Sequence, residues 1–210
     1  MIDIQNEKPI IGLPINKVGI KKLKYPITIL DRTNKRQHTI AEVSMFVDLP
    51  IHFRGTHMSR FVEILNKYRY EMTYKEIQPM LEDMKHTFNA LSAHVSMEFY
   101  YFVEKFAPVT NSSALMEYNA FFDASLNERF EFELGVVVPI SILCPCSKEI
   151  SDRGAHNQRA NTTIRVKSNE FVWIEELIEY AEASASAPVY SILKRADEKH
   201  VTEMAYDNPR

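Results

Sequence analysis

The segment from Leu143 to Ala160, LCPCSKEISDRGAHNQRA, gathers two cysteines, a histidine, a glutamate, an aspartate, a lysine and two arginines. Closing a disulfide over the single proline between Cys144 and Cys146 would strain the geometry that bond requires. The sequence therefore predicts two reduced thiols. A thiolate at Cys144 and an imidazole at His156 are donors that a borderline-soft metal such as zinc accepts, and they could meet across a loop. A plainer reading stays open at this point, an inert cysteine pair and a solvated histidine, because no second Cys-x-x-Cys or His-x-x-x-His completes a zinc signature.

The elements that must position these donors follow from hydrophobic periodicity. Phe130, Phe132, Leu134, Val136, Val138, Ile140 and Ile142 alternate at period two, which predicts a strand that delivers the chain straight to Cys144. Thr162, Ile164 and Val166 predict another strand beyond the motif. Ile174, Leu177, Ile178 and Ala181 then share one helical face, and a short helix is expected around Lys199 to Tyr206. Earlier in the chain, Ile27 to Leu30 and then Ala41, Val43, Met45, Val47 and Leu49 read as a hairpin whose turn is Asp31 to Arg36. Phe61, Ile64, Leu65 and Tyr68 recur at helical spacing from about Ser59. Thr73 and Glu76 form a capping-box pattern for a second helix reaching Ala90, with Pro79 disturbing its early turns. Val95 to Val103 returns to strand alternation. Pro9, Gly12, Pro14, Gly19 and Pro26 break up residues 1–26, which read as an extended arm. Strand pairs with helix pairs between them indicate an α+β chain of two similar modules, 27–110 and 111–210.

Composition narrows the function classes. The 210 residues are 45% hydrophobic, enough for a real core. A formal charge of -3, from 25 basic and 28 acidic residues, gives no global basic field for nucleic acid. No stretch approaches the length of a membrane span, and the start has no basic region followed by an apolar core. Both cysteines sit in one motif, which suits a reducing compartment, so a cytoplasmic protein with no nucleic-acid or membrane partner is expected.

Several separated motifs carry a resemblance. CPCSKEIS followed by GAHNQR, together with LPINKVGIKKLKYPI from Leu13, GTHMSR at Gly55 to Arg60, and LKRADEKHVTEMAYDNP near the end, is similar to GTP cyclohydrolase type IB over nearly the whole chain. The resemblance implies tandem tunnelling-fold modules with antiparallel sheets, helices packed outside, and barrels completed by several subunits in a homotetramer. It also implies opening of the imidazole ring of GTP by water, loss of formate, and reclosure to a pterin. By motif match, Cys144, His156 and Glu198 would hold a divalent metal, zinc, manganese or iron, that activates water. Lys148, Arg159, Lys194 and Arg195 are candidates for the triphosphate, and His57 stands before a helix start whose amides could receive phosphate. Cys146 is read as structural.

Two departures accompany the match. Ala196 stands where the family's KRPDEK has proline. The family also continues past the Asn208–Pro209 pair to a glutamate that grips guanine and a further metal histidine. A different purine or pterin enzyme of the same fold, and a non-catalytic assembly subunit with a structural metal, are the alternatives to the cyclohydrolase reading.

Overall fold

A computed structural model describes residues 13–49, 51 and 55–210. Pro9, Gly12 and Pro50, and the first part of the expected arm, lie outside the described residues. The elements run β1 (Ile15–Asp31), β2 (Lys35–Leu49), α1 (Met58–Tyr68), α2 (Tyr74–Phe88), β3 (Ala93–Phe106), β4 (Ser113–Leu126) and β5 (Phe130–Leu143). They continue as α3 (Pro145–Ile150), β6 (Asn157–Lys167), α4 (Ile174–Ala183), β7 (Ala187–Pro188) and α5 (Arg195–Asp207). The strands hydrogen-bond in chain order from β1 to β6, with β7 beside β5. β1 with β2, β2 with β3, and β5 with β7 all pair antiparallel, giving an α+β architecture.

The chain divides into two compact units that interleave in sequence. The first takes the described residues through Phe99, with Phe121–Leu134 and Lys167–Phe171. Its core follows from alternation: Ala41, Val43, Met45 and Val47 of β2 are wholly buried, and Val43 faces Met97 across the β2–β3 ladder. Phe61, Leu65, Ile77, Leu81 and Met84 come from the apolar stripes of α1 and α2, and the Phe61 and Phe88 rings stack 4.2 Å apart. Thr73 is the N-cap of α2 as expected, but its side chain makes no capping bond, so the predicted capping box is not formed. Pro79 is taken inside α2 without ending it.

Residues 15–25, read from sequence as part of an extended arm, form most of β1. Lys22 takes a positive φ of 55° within the register shift between Ile20 and Leu23, and its amide donates to the Ser44 hydroxyl. Gly19 has a different reason to be glycine. A Cβ there would lie 1.9 Å from the Met45 carbonyl oxygen and 2.9 Å from Phe46 Cα, both backbone atoms that no side-chain rotation can move away. Gly19→Ala is expected to cost about 3 kcal/mol, because the β1–β2 ladder must part locally. A urea-unfolding midpoint equal to that of the unaltered chain would contradict this.

The second unit takes Tyr100–Ala120, Gly135–Val166 and Val172–Arg210. Tyr118, Val136, Val138, Leu143, Leu177, Ile178 and Ala187 form its apolar interior. A charged group is built into that interior. The Lys105 ammonium donates to Glu182 at 2.6 Å and to the Val189 carbonyl at 2.7 Å, and it lies 4.6 Å from the centre of the Tyr190 ring. The Tyr118 hydroxyl donates to the same Glu182 oxygen at 2.9 Å. Burial pushes the Tyr118 phenol far up and the Glu182 charge adds to it, so it stays a neutral donor. These bonds fix residues 187–190, which lead into α5.

Candidate active site

β5 ends where the sequence places it, and three bonds hold that end. The Leu143 amide donates to the Ser186 hydroxyl, the Leu143 carbonyl accepts from the Arg210 amide, and the Ser141 carbonyl accepts from the Ser186 amide. Cys144 follows as the N-cap of α3, with Pro145 at the start of the helix, where its missing amide costs nothing. The segment between Cys144 and His156 thus contains one helical turn and a half rather than a simple loop. Gly154, at a φ of 77°, lets the chain reverse and bring His156 back to the start of β6.

The structure brings Cys144 and His156 together. The Cys144 amide donates to the His156 carbonyl at 2.9 Å. Ser147 completes the connection, with its hydroxyl donating to the Cys144 carbonyl at 3.0 Å and accepting from the His156 amide at 2.8 Å. Both cysteines are free thiols, Cys144 half-buried and Cys146 exposed. The Ser147 amide, with the amide and thiol of Cys146, pushes the Cys144 thiol down against the opposing effect of burial. A lowered thiol gives up its proton to a metal more readily.

Glu198 lies in the first turn of α5, exposed, and among the described residues no three His, Cys, Asp or Glu side chains are gathered as a metal-binding group. Its position on the helix is nonetheless informative. Glu198, Val201 and Ala205 fall at i, i+3 and i+7 and share one face. Ala205 shares an apolar cluster with Leu143 and Ala187, and Val201, Met204 and Ala155 pack against it; Leu143 and Ala155 are the residues immediately before Cys144 and His156. Glu198 is therefore one turn beyond the α5 surface that meets the cysteine and histidine segments.

The basic candidates are dispersed. The Lys148 ammonium donates to the Tyr206 carbonyl and lies 4.1 Å from the centre of that ring, at the last turn of α5. Lys194 and Arg195 are exposed at the opposite end of the same helix, and Arg159 is exposed on β6. His57 is the N-cap of α1 and lines a pocket with Asp48, Thr56, Arg60 and Asn89 in the first unit.

The sequence motifs do not single out Asp197 or Ser147. Asp197 is wholly buried, and its carboxylate accepts from the amides of Val109, Thr110 and Lys194, each at 2.9 Å, and from the Thr110 hydroxyl at 2.7 Å. Burial would raise this carboxyl, but the Thr110 hydroxyl and the three amides outweigh it and hold the group well below the usual carboxylate range. The available signal was its place three residues after Lys194, the N-cap of α5.

The chain matches the type I GTP cyclohydrolase folE2 family over residues 1–210. It is 55% identical over 208 residues to the GTP cyclohydrolase FolE2 of Citrifermentans bemidjiense, covering 99% of this chain and 78% of that protein. It is 54% identical over 210 residues to the GTP cyclohydrolase FolE2 of Kosmotoga olearia, covering 100% of this chain and 82% of the relative. Among solved structures, a hyper-thermostable AgUricase mutant superimposes with a TM-score of 0.50 at 8% identity, covering 91% of this chain and 75% of that one, which speaks to the fold alone. On the whole-chain match and on identity above half over almost every residue, this chain belongs to the type I GTP cyclohydrolase FolE2 family.

Proposed function

We propose that this chain converts GTP and water to 7,8-dihydroneopterin triphosphate and formate, in tetrahydrofolate biosynthesis, with Cys144 and His156 as donors to a divalent metal. The observation that carries this reading is the direct bond between the Cys144 amide and the His156 carbonyl, in a chain of the type I GTP cyclohydrolase family.

The donor set fits a divalent ion in kind. The Cys144 thiol is lowered, its backbone is bonded to that of His156, and Glu198 lies one helical turn from Val201, which packs against the cluster that holds Leu143. Cys144 and His156 would hold the ion with Glu198 as a carboxylate third donor, a mixed set that zinc, manganese or iron accepts. Bound there, the ion would supply Lewis-acid activation of the attacking water. The chain's own contribution is placement: β5 and its three terminal bonds hold Cys144, and Gly154 and Ser147 hold His156. Lys194, Arg195, Arg159 and His57 are proposed to receive the triphosphate through charge-assisted bonds. Lys148 joins them only if its ammonium leaves the Tyr206 carbonyl.

The finer architecture belongs to the same proposal: tandem tunnelling-fold modules at 27–110 and 111–210, and barrels closed by assembly into a cytoplasmic homotetramer. The support is that β1 and β6 end the strand order among the described residues, with Thr28 of β1 also bonded to Arg69 and Met72. Among the described residues no helix is long and apolar enough to cross a membrane. The test is turnover of GTP by chelator-treated protein before and after adding manganese or zinc, following formate and pterin together, with sedimentation of the same sample. Metal-restored formation of both products by a four-chain species is expected. Folded, metal-loaded protein that makes neither product would overturn the activity.

A further inference from the structure

In an antiparallel hydrogen-bonded pair, two facing residues exchange two N–H to carbonyl bonds. Cys144 and His156 make only one of them directly, from the Cys144 amide to the His156 carbonyl. The return bond passes through a side chain: the His156 amide donates to the Ser147 hydroxyl at 2.8 Å, and that hydroxyl donates to the Cys144 carbonyl at 3.0 Å. A hydroxyl has one proton to give and two lone pairs to accept with, so it can occupy this place between an amide and a carbonyl. The Cys144 carbonyl also accepts from the Lys148 amide at 3.2 Å, which ties the same atom to α3.

We propose that Ser147 is a positioning residue for the metal-dependent reaction, its hydroxyl standing in for the missing rung and setting the separation of Cys144 from His156. This inference rests on the reading of those two residues as metal donors. The relay places one oxygen atom between the His156 amide and the Cys144 carbonyl, and it makes that side of the pair depend on one side chain. Without the hydroxyl, the His156 amide and the Cys144 carbonyl are either left without their relay or drawn into a direct bond. Each outcome moves one donor relative to the other. Groups that orient metal ligands from behind are worth about 10- to 100-fold in metal affinity when removed.

The test compares Ser147→Thr with Ser147→Val in the full chain, since these side chains match in shape and differ in the hydroxyl. Cobalt is the probe, titrated against a chelator and followed by its thiolate charge-transfer absorption, with Cys144→Ala alongside. The threonine variant is expected to keep cobalt affinity within about threefold of the unaltered chain, and the valine variant to lose about 10- to 100-fold. The valine variant should also lower kcat for GTP with little change in KM when turnover is expressed per folded, metal-loaded chain, so that a general loss of folded protein is divided out. Equal cobalt affinity and equal kcat in the threonine and valine variants would overturn the role of Ser147. Unaltered cobalt binding and absorption in Cys144→Ala would instead overturn the donor assignment on which it rests, so the two failures are told apart.

Discussion

Replacing Cys144 with alanine is expected to lower GTP turnover by roughly 10³-fold or more and to remove tight metal binding in the same step. The argument is one of position and of charge state. Cys144 is the first residue after β5, and its neighbours Leu143, Ser186 and Arg210 are joined by backbone and hydroxyl bonds that do not involve the sulfur. The bond from its own amide to His156 also survives the substitution. Alanine should therefore fold normally and lose only the thiolate. The matched control is Cys146→Ala, because Cys146 is exposed and two residues away in α3. It is expected to keep at least about half of the turnover and metal affinity, as for a surface change that empties no core position. Metal content measured on both purified variants, with formate release, decides the matter. Full metal content and turnover in Cys144→Ala would end its role as a donor. A parallel loss in Cys146→Ala would make the two thiols a joint site.

Long periodic segments were legible in the sequence because burial follows the pattern directly. The Phe130–Ile142 alternation became β5, and Ile174, Leu177, Ile178 and Ala181 became the buried face of α4. β4 was not read, although Met116, Tyr118, Ala120, Phe122 and Ala124 alternate inward along it. Two of those five positions are alanines, which weaken the contrast between faces that periodicity depends on. α3 stands where the sequence predicts a loop, because six residues cannot show a helical period. At the site, the motif located Cys144 and His156, and the structure adds how they are joined. It also separates two neighbouring acids that look alike in the string: Glu198 is exposed, whereas Asp197 is buried on donors from residues 109 and 110. No local pattern reports a contact across such a separation, and no single side chain's type distinguishes a relay such as Ser147 from an ordinary helix-cap serine.

Asp197 carries the other large expected effect. Asp197→Ala is expected to lower Tm by roughly 10 °C, since it strips a buried acceptor from four donors at once. Those donors come from two places: Val109 and Thr110 in the turn after β3, and Lys194 at the start of α5. The turn is already committed to this geometry, with Asn111 at a φ of 56° and the Ala107 amide bonded to the Ser112 carbonyl. Losing the carboxylate leaves three amides and a hydroxyl facing no acceptor, and water must enter or α5 must unwind its first turn. That turn contains Glu198, so metal affinity should fall along with stability. Asp197→Asn should lie between the two, because the amide oxygen can still accept while its NH2 meets a donor amide at Lys194. Thermal unfolding of the three proteins, with metal titration of each, separates the effects. An alanine variant melting within about 2 °C of the unaltered chain would show that the buried carboxylate does not clamp α5 to the turn, since a change that small is the scale expected of an ordinary surface site.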